Sequence, residues 1–148
     1  MKLLGTIFIT FLFVIGCSNS KQNLIVVEND YEVDLTKIDS VRENLNGFWI
    51  LENKAESNEI VWLKFPKNSD LTSWNIIGYD KENEKTKQID YNSSAPFIKL
   101  IKHNKKIEIE FTTLSNRDTV KIEKLTKTKL KISGTTYLKH KGYKFLKD

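Results

Sequence analysis

The feature that most constrains this chain is a period-2 alternation of apolar and charged residues that begins near Phe48 and runs almost to the end. It is clearest from Lys106 to Phe111, where Ile107, Ile109 and Phe111 would face one side and Lys106, Glu108 and Glu110 the other. Val120 and Ile122 alternate with Lys121 and Glu123, and Leu130 and Ile132 with Lys129 and Lys131. Successive strand side chains point to opposite faces, so strict alternation means one buried and one wet face, as in antiparallel sheets. The pattern predicts strands over 48–54, 59–66, 72–79, 85–91, 96–102, 106–113, 117–125, 128–133 and 136–146.

The breaks between these segments carry turn chemistry. Residues 54–58, 66–70, 80–84 and 92–96 are polar and rich in Asn, Asp, Ser or Pro, while His103-Asn104-Lys105 and Ser115-Asn116 suit tight hairpins. Many short strands joined by short links predict an all-β, antiparallel up-and-down meander, and closing it removes exposed strand edges. Ahead of it, Ile38, Val41 and Leu45 share one helical face. This predicts a short helix over 37–45, with Thr36 as N-cap and Asn46-Gly47 as its stop. Leu24-Ile25-Val26-Val27 reads as a first strand or an extended arm.

The N-terminus sets an address. Met1-Lys2, an apolar run from Leu3 to Ile15, then Gly16-Cys17 has the layout of an export signal. The run is shorter than the ~20 apolar residues that span a bilayer. Val14-Ile15-Gly16-Cys17 resembles the lipobox of bacterial lipoproteins. The resemblance implies cleavage before Cys17, a thioether-linked diacylglycerol on that sulfur, and membrane anchoring. Two or more acyl chains anchor stably, because each buried CH₂ contributes about 0.8 kcal/mol. Ser18 follows, where Asp is the familiar inner-membrane retention signal, so the resemblance implies the outer membrane of a Gram-negative cell. The expected organisation is a signal peptide over 1–16, a lipidated tether and arm over 17–35, and a barrel domain over 36–148.

Charge is unevenly placed. Residues 17–98 carry 9 Lys/Arg against 14 Asp/Glu, and residues 99–148 carry 14 against 5. The basic half alternates with apolar residues, which fits a solvated barrel exterior better than a nucleic-acid surface, and an exported address argues the same way.

Gly47-Phe48-Trp49, at the junction of the helix and the first strand, resembles the Gly-x-Trp signature of lipocalins and bacterial lipocalin-like lipoproteins. The resemblance implies a barrel of about eight strands with Trp49 plugging one end. It also implies a basic residue from the last strands against that indole, for which Lys139, Lys141 and Lys144 are the candidates. The alternative is that Trp49 is a core aromatic of another β fold.

Chemistry is sparse. His103 and His140 are expected to be exposed, and no His/Cys/carboxylate spacing suits a metal, which needs about three converging ligands. Lipid on Cys17 would remove the only thiol, no Gly-x-Ser-x-Gly elbow surrounds a serine, and no phosphate-binding glycine loop is present. Glu108 and Glu110 are expected to be solubilising charges. If Val61, Leu63 and Phe65 point inward, Trp62 points outward or into a covering loop. Asn92-Ser93-Ser94, Asp39-Ser40-Val41 and Asp118-Thr119-Val120 match short glycosylation signals that arise easily by chance. The expected function is non-enzymatic, without cofactor or metal: binding a small hydrophobic ligand in the barrel. The alternative is a protein-interaction module with a filled core, such as a hydrolase inhibitor or immunity-like lipoprotein using loops 54–58 and 80–84. Interior volume discriminates them, several hundred Å³ favouring the ligand.

Overall fold

The structure, a computed structural model, describes residues 23–54, 57–80, 85–88 and 95–143. Residues 1–22 with Cys17, the Asn92-Ser93-Ser94 triplet, Lys144 and most of loop 80–84 lie outside them. One helix, α1 (Ile38–Leu45), precedes ten strands: β1 (Gly47–Leu51), β2 (Glu59–Leu63), β3 (Leu71–Ser73), β4 (Asn75–Asp80), β5 (Lys85–Gln88), β6 (Phe97–His103), β7 (Lys106–Thr112), β8 (Arg117–Leu125), β9 (Lys129–Ile132) and β10 (Thr135–His140). All pairings are antiparallel, in the order β3-β6-β7-β8-β9-β10-β1-β2-β4-β5.

β3 and β4 are separated only by Trp74, whose N–H donates to Pro96 O at 2.9 Å. They act as one bent strand whose first half pairs with β6 and whose second half pairs with β2. That shared strand brings the two ends of the sheet together. Counted so, the molecule is a nearly closed antiparallel barrel of nine strands, with β5 laid beside β4. All nine expected strands are therefore represented. β10 stops at His140 rather than 146, because the chain turns at Gly142 (φ +79°). Asn104 and Lys105 both adopt positive φ between β6 and β7, as a tight hairpin turn with the right twist requires.

The alternation of β6 to β9 follows from a filled interior and a wet exterior. Ile98, Leu100, Ile107, Ile109, Ile122, Leu130 and Ile132 join the main core, while Lys99, Glu110 and Thr119 lie side by side outside. β1, β2 and β4 instead carry unbroken apolar runs, and both their faces are covered. Ile50, Ile60 and Ile77 form a second cluster outside the barrel with Leu24, Phe48, Trp62, Leu138 and Tyr143. The residues after β10 cross this face: Tyr143 stacks on Tyr79 with centroids 5.0 Å apart, and its hydroxyl donates to Asn58 O.

One end of the barrel is closed by the N-terminal segment. Leu24-Ile25 is an extended arm beside β10, held by a bridge to His140 and by Ile25 N–H donating to Lys139 O (2.9 Å). The arm then rounds the 126–128 turn, where Asp30 accepts from the Thr126 hydroxyl (2.8 Å) and the Thr128 N–H (3.1 Å). Val33 N–H donates to Leu125 O (2.8 Å) and Ile107 N–H to Leu35 O (2.7 Å), so residues 33–35 cross between β8 and β7. Val33, Leu35, Val41 and Leu45 are core residues, and Ile38 packs beside them as the helical spacing predicts. Thr36 does not cap α1. The helix has no side-chain N-cap, and the Thr36 hydroxyl and N–H both donate to Asp34 Oδ1, at 2.7 and 3.0 Å. That local turn competes with capping, as Asp and Thr side chains commonly do. Arg42 ties the helix to the loop before β3 by pairing with Asp70, and also with Asp39.

Candidate functional site: a plugged end and an apolar cavity

The closed end is built around Trp49. Its side chain is fully buried, and its indole N–H donates to Leu45 O at 2.8 Å, fixing the ring beneath the last turn of α1. Lys139 lies over the indole with Nζ 4.3 Å from the ring centroid. The same ammonium donates to Asn44 O and Asn46 O, both at 2.6 Å. The last carbonyls of a helix lack intrahelical partners and carry partial negative charge, so a cation here satisfies both needs. Of the three candidate lysines, Lys139 occupies this position; Lys141 leads into the following turn, and its N–H donates to Asn23 O. Burial pushes the Lys139 ammonium down from 10.5 to about 8. Gly47 (φ +126°) is required twice: few side chains tolerate that φ, and a Cβ would stand 2.9 Å from Lys139 Cε.

The interior beyond Trp49 is largely filled. Trp74 meets Phe111 and Tyr137 edge-on, with centroids 5.2 and 5.7 Å apart, the arrangement aromatic quadrupoles favour. A cavity of about 130 Å³ remains, lined by Trp49, Leu51, Val61, Trp74, Ile76 and Tyr137, with Lys54, Ser57 and Glu59 at its mouth. The mouth lies at the end where β1 finishes and β2 begins, opposite the helix. Burial raises the Tyr137 hydroxyl above its usual value.

Two further hollows lie outside the barrel. One of about 260 Å³ runs between Leu24–Val27 and Leu138, Thr128 and Lys129. The other, about 430 Å³, opens in the wall where β7 and β8 stop pairing below Glu108↔Lys121, with His103, Lys106 and Glu123 on its sides.

Several expectations need correction. His140 is buried at 5% exposure rather than exposed, because the arm and Tyr143 pack on it and Gly142 N–H donates to its Nδ1 at 3.0 Å. His103 is exposed as expected. Glu108 is not a free surface charge: it is 7% exposed and pairs with His103 at 3.3 Å, while Glu110 faces Arg117 at 3.8 Å. Trp62 points outward and stacks on Phe48 at 5.9 Å, within the outer cluster. Trp74 and Tyr137, which make the cavity, were not singled out as site residues by the sequence. For Tyr137 the available signal was its parity in β10; Trp74 sits at the bend between β3 and β4.

Among the described residues, no group of three or more His, Cys, Asp or Glu is placed to hold a metal ion, and no helix is long and apolar enough to cross a membrane. No protein-family model, curated protein or solved structure matches this chain.

Proposed function

We propose that this protein is a non-catalytic, lipid-anchored binding protein of the cell envelope that holds a small, largely apolar molecule in the barrel. The observation that carries the ligand half is the cavity between Trp49, Trp74 and Tyr137, closed at one end by the helix and bordered by polar side chains at the other. Apolar burial would supply the affinity, and the few polar groups at the mouth would set orientation. Its size bounds the ligand. Drug-sized molecules need roughly 300–1,000 Å³, whereas a dry cavity of roughly 150 Å³ takes benzene. A volume of about 130 Å³ therefore suits a single ring or a short branched chain with one polar group, not a long acyl chain. The expectation of several hundred Å³ is not met, because Trp74, Phe111 and Tyr137 take the space.

The anchoring half rests on Val14-Ile15-Gly16-Cys17. Labelled fatty acid fed to the cells should be incorporated into the wild-type protein and not into Cys17→Ala; an unlabelled wild-type protein would refute it. For the ligand, tryptophan emission titrated with cyclohexanol, phenol and palmitate should respond to the ring compounds and not to palmitate. Silence toward every ring compound, or saturation by palmitate, would refute the size argument.

A second reading, protein-partner binding, is favoured by exposed apolar side chains near the rim. Leu114, at the tip of the β7–β8 hairpin, is 93% exposed, and Phe97 at the start of β6 is 55% exposed. Native mass spectrometry of protein extracted from its own cells separates the two readings. A small copurifying mass supports the ligand, and a stoichiometric protein supports the partner.

A further inference from the structure

We infer that the barrel stands on the bilayer with its helix-closed end down, so that the cavity mouth opens to the aqueous side and loads from water. The inference rests on the lipid-anchor reading of Cys17 and adds a direction to it. The described chain begins at Asn23, whose carbonyl accepts from Lys141 N–H at 2.7 Å, just past the end of β10. That is the end covered by α1, whereas the mouth lies among Lys54, Ser57 and Glu59. Asn23 stands six positions after Cys17 in the sequence. Six residues of chain reach at most roughly 20 Å.

The barrel is too long for this tether to invert comfortably. A seven-residue strand such as β7 measures about 23 Å along its own axis, or about 16–19 Å of barrel height at the usual tilt of about 35–45°. Bringing the mouth to the lipid would draw the tether out along the barrel wall, close to its limit. Standing on the closed end costs no such extension. Charge at that end does not choose the orientation by itself. Lys102, Lys105, Lys106, Lys124 and Lys127 surround it, but so do Glu28, Glu32 and Glu43, while Asp34 and Asp70 are already paired with Lys37 and Arg42. The orientation should therefore persist in neutral lipid and at high salt. It also agrees with the cavity's volume: a mouth turned from the bilayer and a space too small for an acyl chain both point to a water-borne ligand.

The test uses the full-length protein purified from its own membranes and reconstituted in phosphatidylcholine vesicles that carry a headgroup nitroxide. Cys17 is the only cysteine and its sulfur would be lipidated, so an introduced thiol can be labelled alone. Fluorophores at Lys102→Cys, near the end of β6, and Lys127→Cys, in the 126–128 turn, both exposed at the closed end, should be quenched by the nitroxide several-fold more than one at Leu114→Cys. Aqueous iodide should show the opposite order. Equal or reversed quenching on protein whose Cys17 peptide carries the lipid mass overturns this inference and leaves the anchor reading standing. Absence of that lipid mass overturns both.

Discussion

Lys139→Met should remove a pH dependence of stability that the wild-type protein shows above pH 8. Methionine keeps an unbranched stem over Trp49 but no charge. The wild-type ammonium donates to Asn44 O and Asn46 O and lies 4.3 Å from the indole centroid. Hydrogen bonds from a charged donor contribute about 1.5–3 kcal/mol each, and the cation–π contact about 0.5–2 kcal/mol. Against this stands burial of the charge. A fall from 10.5 to about 8 corresponds to about 3 kcal/mol that disfavours the ammonium. At pH 7 the substitution should therefore cost only about 2 kcal/mol, well below the gross value of the contacts it deletes.

The sign of the pH effect follows from proton counts. Between pH 8 and 10.5 the folded protein has released the Lys139 proton while the unfolded chain keeps it. The unfolded state then binds more protons, so stability rises with pH. From pH 7.5 to 10 the gain is about 2 kcal/mol, or roughly 8 °C in Tm for a chain of this size. Tyr143, held up at about 12 by burial and then by Glu59, and Tyr137, raised by burial, titrate higher and act in both proteins alike. They cancel in the difference between wild type and Lys139→Met. Urea unfolding of both proteins at pH 7.5, 9 and 10 is the assay. Parallel pH profiles would show that the two carbonyls hold the ammonium charged and that burial does not govern this site. A Gly47→Ala cycle checks the geometry independently. Its cost should be about 1 kcal/mol smaller in the Lys139→Ala background, because the alanine Cβ no longer meets Lys139 Cε.

Three further outcomes are expected. Gly142→Ala should destabilise by more than about 2 kcal/mol, because φ is +79° and a Cβ would lie 2.6 Å from the Phe48 ring, whereas Gly134→Ala, at φ +75° with open space around it, should cost about 1 kcal/mol by chemical denaturation. Ile76→Phe should fill the cavity beside Trp74 and abolish the fluorescence response to cyclohexanol while leaving the far-UV circular dichroism unchanged; an undiminished response would move the site elsewhere. Burial, and then the neighbouring Lys141, lowers the His140 pKa below 6.5, so its neutral form contributes stability that is complete above 6.5 and lost as pH falls through the folded value; His140→Gln should flatten that acid limb in urea titrations.

The parts of this fold written in local pattern were legible, and those set by distant segments were not. β6 to β9 could be read by parity alone, because each has one face in the core and one in water. β1, β2 and β4 lack that contrast, since residues at both ends of the chain cover their outer face. A run such as Ile60-Val61-Trp62-Leu63 therefore gives no parity, and only the neighbouring strands decide that Val61 turns in and Trp62 out. His140 was misread for the same reason: its burial comes from Leu24, far away in sequence, and from a turn at Gly142. Glu108 alternates outward as read, but it is covered there and pairs with His103 from the neighbouring strand, a contact that alternation does not record. Thr36 had the right residue type for a cap, but Asp34 two positions earlier satisfied it first.

The site shows the same division. Gly47 and Trp49 stood out because they adjoin in sequence at a helix-to-strand junction, but Lys139, which explains why Gly47 must be glycine, arrives from the last strand. The cavity was less legible still, for its walls come from β1, β2, β4 and β10 and its volume is what Trp49, Trp74 and Tyr137 leave unfilled. A remainder of that kind is set by side-chain rotamers that a strand pattern does not specify. The same aromatics that shrink the space also make it readable, since two of the three tryptophans line it. A ring-sized ligand there would change their emission, whereas a partner bound at Leu114, at the tip of the β7–β8 hairpin, would leave it largely unaltered. Titration with a small ring compound therefore reads the ligand proposal directly from the protein's own emission.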